Sequence, residues 1–170
     1  MSAESKLAAK AAAGDVAAFT SLVRAHEAAV RRFLARQTRG EGGDDIAQDV
    51  FLRAWRSAGA YRGEGSYRGW LLRIAWTEFL ASRRAAGRRA ARDQAAFELE
   101  RAPQCDADAA LDLARALASL DERERAAASL CFGEGCSHGE AALIMGLPLG
   151  TLKSILARAR TALASRLEIA

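Results

Sequence analysis

Aromatic residues make up only 6% of this 170-residue chain, and just two prolines, Pro103 and Pro148, interrupt it. Val, Ile, Tyr and Thr, which favour strands, are scarce, whereas alanine, the best helix former, is abundant. A β-sandwich or barrel is thereby disfavoured, and the expected fold is all-α. The length excludes a large enzyme barrel and suits one ordinary domain or two small ones. No apolar run approaches the ~20 residues that span a bilayer, and the alanine-rich start is broken by Lys6, Lys10 and Asp15, so membrane insertion is not expected. The cysteines are few and odd in number (Cys105, Cys131, Cys136), without framework spacing or a secretory signal before them, which points to a reduced, cytoplasmic protein. Cys131, Cys136 and His138 lack the CxxC spacing and the fourth ligand of a zinc site. Paired carboxylates, a nucleophile with its base and a phosphate-cradling glycine loop are all missing, so the expectation is a non-enzyme without cofactor.

What the chain does have is charge arranged in blocks. The net charge is only +4, with hydrophobic residues at 51%. Between Ser66 and Arg92, however, seven arginines face the single acid Glu78, and between Asp93 and Arg125 nine acids face four arginines. A basic block beside an acidic one suggests a polyanion site next to a linker.

The first clear helix opens at Asp15, a suitable N-cap, and Phe19, Leu22, Val23, His26, Val30, Phe33 and Leu34 form its core-facing stripe until Gly40–Gly43. His26 on that stripe reads as a satisfied interior or boundary histidine rather than a catalytic one. A second helix opens at Asp44-Asp45, acids that suit the positive end of the helix dipole, and runs to Arg56. Ala47, Val50, Phe51 and Ala54 pack inward, leaving Asp45, Gln48, Asp49, Leu52, Arg53 and Arg56 outside. On periodicity alone that outer side is a solvated face with one stray leucine. Residues 57–70 are too glycine-rich for a helix and carry Tyr61, Tyr67 and Trp70 among Arg62 and Arg68. Aromatic rings and arginines on a pliable loop suit unpaired bases, since stacking on a ring is worth ~1–3 kcal/mol per base and needs no sequence match. From about Trp70 to Ala86 a further helix puts Leu71, Leu72, Ala75 and Phe79 in one sector and Arg73, Trp76, Thr77, Leu80, Arg83 and Arg84 in another, the latter a basic, phosphate-neutralising face.

Periodicity fades after Arg88, which divides the chain into 1–92, a linker at 93–107, and 108–170. Extended, that linker reaches ~50 Å at 3.3–3.6 Å per residue, enough to let two mobile domains occupy different grooves. In the last part Leu113, Leu117 and Leu120 mark one helix, while Asp121–Glu124 and Ser137–Glu140 each carry a capping-box signature. A short helix, the Gly146-Leu-Pro-Leu-Gly150 turn and a longer basic helix make a helix-turn-helix. Leu152, Leu156, Ala159, Leu163 and Leu167 pack inward. Thr151, Lys153, Ser154 and Ala157 are then the candidates for reading bases, and Arg158 and Arg160 for phosphate contacts.

The segments DDIAQDVFLRAWR (44–56), YRGEGSYRGWLLRIA (61–75) and LDERERAAASLCFGEGCSHGEAALIMGLPLGTLKSILARARTAL (120–163) together resemble the extracytoplasmic-function (group IV) RNA polymerase sigma factors over nearly the whole chain. The resemblance implies two small helical domains. Asp45, Gln48, Asp49, Leu52 and Arg53 would bind the clamp of core RNA polymerase, which overturns the solvated-face reading. Tyr61, Arg62, Tyr67, Arg68, Arg73, Trp76, Thr77, Arg83 and Arg84 would bind the opened −10 element. Residues 150–154 and their neighbours would read the −35 element, and the C-terminal domain would also meet the polymerase flap. It further implies promoter DNA and an anti-sigma factor as partners. Thr77 and Ala81 stand where the family usually carries an asparagine and an aspartate, so an unusual −10 preference is expected, with Trp76 supplying stacking in compensation. A helix-turn-helix regulator alone would leave the Tyr/Trp loop and basic helix unexplained, and a sigma-like decoy has only Thr77 and Ala81 in its favour.

Overall fold

The computed structural model describes residues 3–63, 65–93 and 116–167. The proposed linker beyond Asp93, with Cys105 and Leu113, lies outside them. The described elements are helices α1 (Ala3–Ala12), α2 (Val16–Thr38), α3 (Gly43–Arg56), α4 (Tyr67–Asp93), α5 (Glu122–Ala128), α6 (His138–Met145) and α7 (Leu149–Leu167), with a 3-10 turn at Ala58–Ala60 and a π turn at Ser129–Gly133. Helices are therefore the only regular structure among the described residues.

Local chemistry sets the helix ends. The Asp15 carboxylate accepts the Ala18 N–H at 3.0 Å, and α2 stops where Arg39 adopts the left-handed conformation (φ 55°). Helix α1 was not expected. Its alanines give little amphipathic contrast, yet Ala8 and Ala11 are buried and Glu4 reaches His26 Nε2 at 2.6 Å. His26 thus has an acid partner that its sequence neighbours did not suggest. Helix α4 begins at Tyr67, three residues before the expected start, because the Ser66 hydroxyl accepts the Gly69 N–H at 3.0 Å and caps a new turn. It then continues through Gly87 to Asp93.

The core is assembled from Leu22, Val30, Phe33 and Leu34 of α2, Ala47, Val50 and Ala54 of α3, and Leu71, Leu72, Ala75 and Phe79 of α4. All of the inward positions expected on α3 and α4 are buried except Phe51, which is half-buried. Two small helical domains were expected, and in this structure they are docked: the hydrophobic core runs on into Ala126, Ala127, Leu130, Ile144, Met145 and Leu152. The seam between the halves is also polar. Glu134, whose side chain is only 1% exposed, receives Arg32 Nη2 at 2.9 Å, Arg32 Nε at 3.3 Å and Arg36 Nη1 at 2.9 Å. This fork on Glu134 raises the Arg32 pKa above its ordinary value, the hydrogen bond contributing most and the carboxylate charge next. A Cβ at Gly133 would sit 2.5 Å from Arg36 Nη1, so a larger residue there would push the Arg36 guanidinium aside. Gln37 Nε2 donates to Ser129 Oγ at 3.4 Å beside it, and Arg83 Nε to Glu122 Oε2 at 3.0 Å further along.

Candidate polymerase and nucleic-acid interfaces

Helix α3 presents one continuous outer face. Asp45, Gln48, Asp49, Leu52 and Arg53 are all exposed, and Leu52 is 52% exposed in a helix whose other leucine-sized positions point inward. Exposing a large apolar side chain among charges gives the face something to bury against a protein. Arg53 does more than face outward: its Nη1 is paired with Glu78 of α4 and its side chain lines a cavity shared with α4 and the 57–66 segment.

That cavity, about 380 Å³, collects residues from three places in the chain. Arg53 comes from α3. Ala60, Tyr61 and Arg62 come from the segment after it, and Trp70, Arg73, Ile74 and Thr77 from successive turns of α4. The rings of Tyr61 and Trp70 meet at 5.7 Å, and Tyr61 packs edge-on to Tyr67 at 5.0 Å. Tyr61 Oη donates to the Gly65 carbonyl at 3.0 Å, which folds the glycine-rich loop back on itself, and Thr77 Oγ1 donates to the Arg73 carbonyl at 2.9 Å.

Several expected DNA contacts are placed elsewhere. Tyr67 is only 1% exposed and forms the floor beneath Tyr61 and Trp70, so it cannot itself stack on a base. Burial, with smaller contributions from Tyr61 and Glu4, pushes its phenol up to about 12. Trp76 is 5% exposed and stacked on Phe79 at 5.7 Å, so the stacking expected of it toward DNA is spent in the core. The helical wheel missed this because α4 is covered on two sides, by its own domain and by α6 of the other half. Arg68 is half-buried, and its charge acts on Cys136 and Glu140 across the seam. Arg83 pairs with Glu122 across the same seam, while Arg84 is exposed outside the cavity. Conversely Trp70, one of the loop aromatics but not among the residues given to the −10 element, lines the cavity. The signal that would have found it is its i, i+3, i+7 relation to Arg73 and Thr77 on one helix side.

The second interface is more local. Asp121 and Ser137 each close a capping box, with Glu124 and Glu140 as the reciprocal partners. The Ser137 N–H, donating to Glu140, holds that carboxyl below its usual range. Gly146 at φ 66° ends α6, and the chain turns by 104° into α7, within the ~90–120° of a helix-turn-helix. Leu152, Leu156 and Ala159 are buried with Ile155, while Thr151, Lys153, Ser154, Ala157, Arg158 and Arg160 are all exposed along α7. Arg158 Nε donates to Glu124 at 3.2 Å and Arg160 lies 5.9 Å over the Phe132 ring, so both arginines are pre-oriented. Cys136 is buried and its thiol is pushed up to about 11 by that burial, which leaves it inert as a nucleophile.

Comparison with known proteins agrees with this two-part construction. The family model "Sigma-70 region 2" matches residues 22–89 and "Sigma-70, region 4" matches residues 110–163. The ECF RNA polymerase sigma factor SigM of Mycobacterium tuberculosis is 36% identical over 165 residues, covering 95% of this chain and 83% of that protein. SigE of Mycolicibacterium smegmatis is 37% identical over 88% of this chain, which spans 62% of its length. Among solved structures, the sigma factor RpoE in complex with the anti-sigma factor NepR from Bartonella quintana superposes with a TM-score of 0.77 at 26% identity, over 89% of this chain and 97% of that one. The chain therefore belongs to the extracytoplasmic-function sigma factors of the sigma-70 family.

Proposed function

We propose that this chain is an alternative sigma factor that binds core RNA polymerase, recognises −35 and −10 promoter elements and starts transcription of a specialised or stress regulon. Sigma factors of this kind are initiation factors and not catalysts. The observation that carries the reading is the pairing, in one chain, of an aromatic and arginine-lined cavity with a separate exposed recognition helix. In this reading Asp45, Gln48, Asp49, Leu52 and Arg53 meet the polymerase clamp, and the C-terminal domain meets the flap. The cavity holds an unpaired −10 base, with Arg84 on the backbone nearby. Flipping a base costs a few kcal/mol, which stacking on Tyr61 and Trp70 offsets. Thr151, Lys153, Ser154 and Ala157 read the −35 major groove, and Arg158 and Arg160 hold its phosphates. Domain bounds of 1–92 and 108–170 around the 93–107 linker go with this division of labour. The protein would act beside polymerase in the cytoplasm; among the described residues no single helix is long and apolar enough to cross a membrane.

The closed packing of the halves has a functional meaning in the same reading. The −35 and −10 elements lie about 25 base pairs apart, or about 85 Å at 3.4 Å per pair. A compact body of 170 residues has a radius of gyration of about 15 Å. The closed form therefore cannot engage both elements, and the domains must part on the polymerase. An anti-sigma factor that holds them together would silence the protein, and RpoE, whose fold matches over both domains, is itself seen with its anti-sigma factor.

The test is in vitro transcription from a pooled genomic library with bacterial core polymerase, with and without the protein, followed by sequencing of RNA 5′ ends. New defined starts sharing two upstream elements are expected. Polymerase binding without new starts would make the protein a decoy, and no polymerase binding would leave a simple DNA-binding regulator.

A further inference from the structure

Arg158 and Arg160 lie on opposite flanks of the exposed side of α7. At 100° per residue they point about 160° apart, with Ser154 and Ala157 between them. A helix in the major groove has a phosphate backbone on either side, so in the proposed reading each arginine meets its own strand. The two are supported by different chemistry. Arg160 lies 5.9 Å over the ring of Phe132, which comes from the π turn at Ser129–Gly133 and is 53% exposed. Arg158 instead donates its Nε–H to Glu124 Oε1 at 3.2 Å. The other oxygen of that carboxylate accepts the Asp121 N–H at 3.3 Å in the capping box of α5.

These supports act in opposite senses on a phosphate. An aromatic face attracts a guanidinium through its quadrupole and takes up none of its N–H donors and none of its charge. Arg160 is thus held in place with its full capacity for an anion. A carboxylate takes both a donor and the charge, which are the two things a phosphate oxygen would use. Glu124 is also the fixed partner of its pair, with a side chain 15% exposed against 63% for Arg158. Any strand that binds Arg158 must therefore draw it away from an acid anchored on a neighbouring helix.

We infer that Phe132 and Glu124 are positioning residues that set the phosphate grip of the recognition helix in opposite directions: Phe132 presents Arg160 to one strand, and Glu124 competes with the other strand for Arg158. The inference rests on the proposed sigma function and adds how firmly each flank of α7 holds DNA. Phosphate contacts carry no sequence information, so a damped contact lowers binding to every sequence alike and leaves base choice to Thr151, Lys153, Ser154 and Ala157. The competing roles are a direct contact of Phe132 with polymerase or DNA, and a purely structural role of Glu124 as the cap of α5.

The experiment uses holoenzyme reconstituted from bacterial core polymerase and the full chain, with a duplex that carries the −35 element found in the transcription screen and ends upstream of the −10 element. Equilibrium affinity is measured over a series of salt concentrations. Glu124→Gln keeps one oxygen for the Asp121 N–H, and glutamine serves a capping box as glutamate does, but its amide offers Arg158 no charge. It is expected to tighten binding about 2- to 5-fold at low salt and to steepen the salt dependence. Phe132→Leu keeps an apolar side chain without the ring face and should weaken binding about 2- to 5-fold, whereas Phe132→Tyr should not. The gain from Glu124→Gln should vanish in an Arg158→Ala background, and the loss from Phe132→Leu in an Arg160→Ala background. Preference among −35 sequences should stay the same throughout. Weaker or unchanged binding by Glu124→Gln would overturn the inference, since a cap alone predicts no gain. So would a Phe132→Leu loss that persists without Arg160, or one that appears in polymerase binding without DNA. Failure of the wild-type holoenzyme to start transcription anywhere would instead remove the sigma function, and the signs of the same variants on a random-sequence duplex, bound by the full chain alone, would then decide the inference.

Discussion

The two halves of the molecule are stabilised differently. The N-terminal half packs large side chains: Tyr67, Phe33, Phe79, Leu71 and Leu72 are all essentially inaccessible. In the C-terminal half, many of the buried positions are alanines, namely Ala126, Ala127, Ala128, Ala141, Ala142 and Ala159, with Leu130 and Leu152 as the large fully buried residues. Burial contributes roughly 25 cal/mol per Å² of apolar surface, so alanines contribute little each. The smaller half makes up the difference with two capping boxes and by leaning on its neighbour through the seam around Glu134. In the proposed reading, in which the C-terminal domain parts from its neighbour to reach the −35 element, the capping boxes are the support that remains once the seam is lost.

The largest effect should come from emptying the N-terminal core. Phe33→Ala removes a fully buried ring and is expected to cost about 3–5 kcal/mol, read as a lower midpoint in urea unfolding. A truncation at Ala127 would remove a single methyl group and should be felt several times less, which measures the contrast between the halves directly.

Alkaline pH gives the next effect. The Tyr67 phenol sits at about 12 in the folded protein and near 10 when unfolded, so the folded state holds its proton longer. Its contribution is complete below about pH 10 and is lost as pH rises to about 12, amounting to roughly 2–3 kcal/mol. Tyr67→Phe should flatten this part of the stability-against-pH curve. It should cost little at neutral pH, because the Tyr67 hydroxyl is buried without a hydrogen-bond partner.

At the seam, Glu134→Ala leaves Arg32 and Arg36 without their shared carboxylate. Both arginines still reach water, with side chains 55% and 30% exposed, so the expected loss is about 1–2 kcal/mol and not the 3–5 of a fully buried pair. Hydrogen exchange should rise in α5 and α6 while the α2–α4 core stays protected. Uniform loss of protection in both halves would mean that they unfold as one unit, contrary to the comparison drawn above.

How much of this could be read from the residues follows the same division. The helix-turn-helix was legible in its caps, its glycine turn and the buried Leu152, Leu156 and Ala159, which obey local rules, whereas Ile155 was missed and Leu163 is only half-buried. The exposed face of α3 was legible too, although its apolar member, Leu52, looked like an accident until the family resemblance gave it a use. The cavity was legible only in part: Tyr61, Arg62, Arg73 and Thr77 were identified, but Arg53 had been given to the polymerase and Trp70 was left out of the −10 residues. Tyr67 and Trp76 were misplaced because burial is decided by what else packs there. Tyr67 is enclosed by His26, Tyr61 and Trp70 of its own half, and Trp76 is turned into the core beside Phe79, which no single-helix periodicity encodes. The seam itself, Arg32 and Arg36 on Glu134, joins residues about a hundred positions apart and left no local trace.

The smallest effect tests whether caps compensate for a small core. The Ser137 hydroxyl accepts the Glu140 N–H at 3.2 Å while the Ser137 N–H donates to Glu140 Oε2 at 2.9 Å. Ser137→Ala breaks the first bond and should cost about 1 kcal/mol, Ser137→Gly only a few tenths and Ser137→Asp almost nothing. Helix α6 has just eight residues, too few to persist without help, so the loss should appear as faster local exchange in His138–Met145. The undocked state then gives the decisive comparison. Combining Ser137→Ala with Glu134→Ala should cost more than the two single losses added together if capping and docking support the same helix, whereas strict additivity would show that the cap acts on a domain already stable by itself.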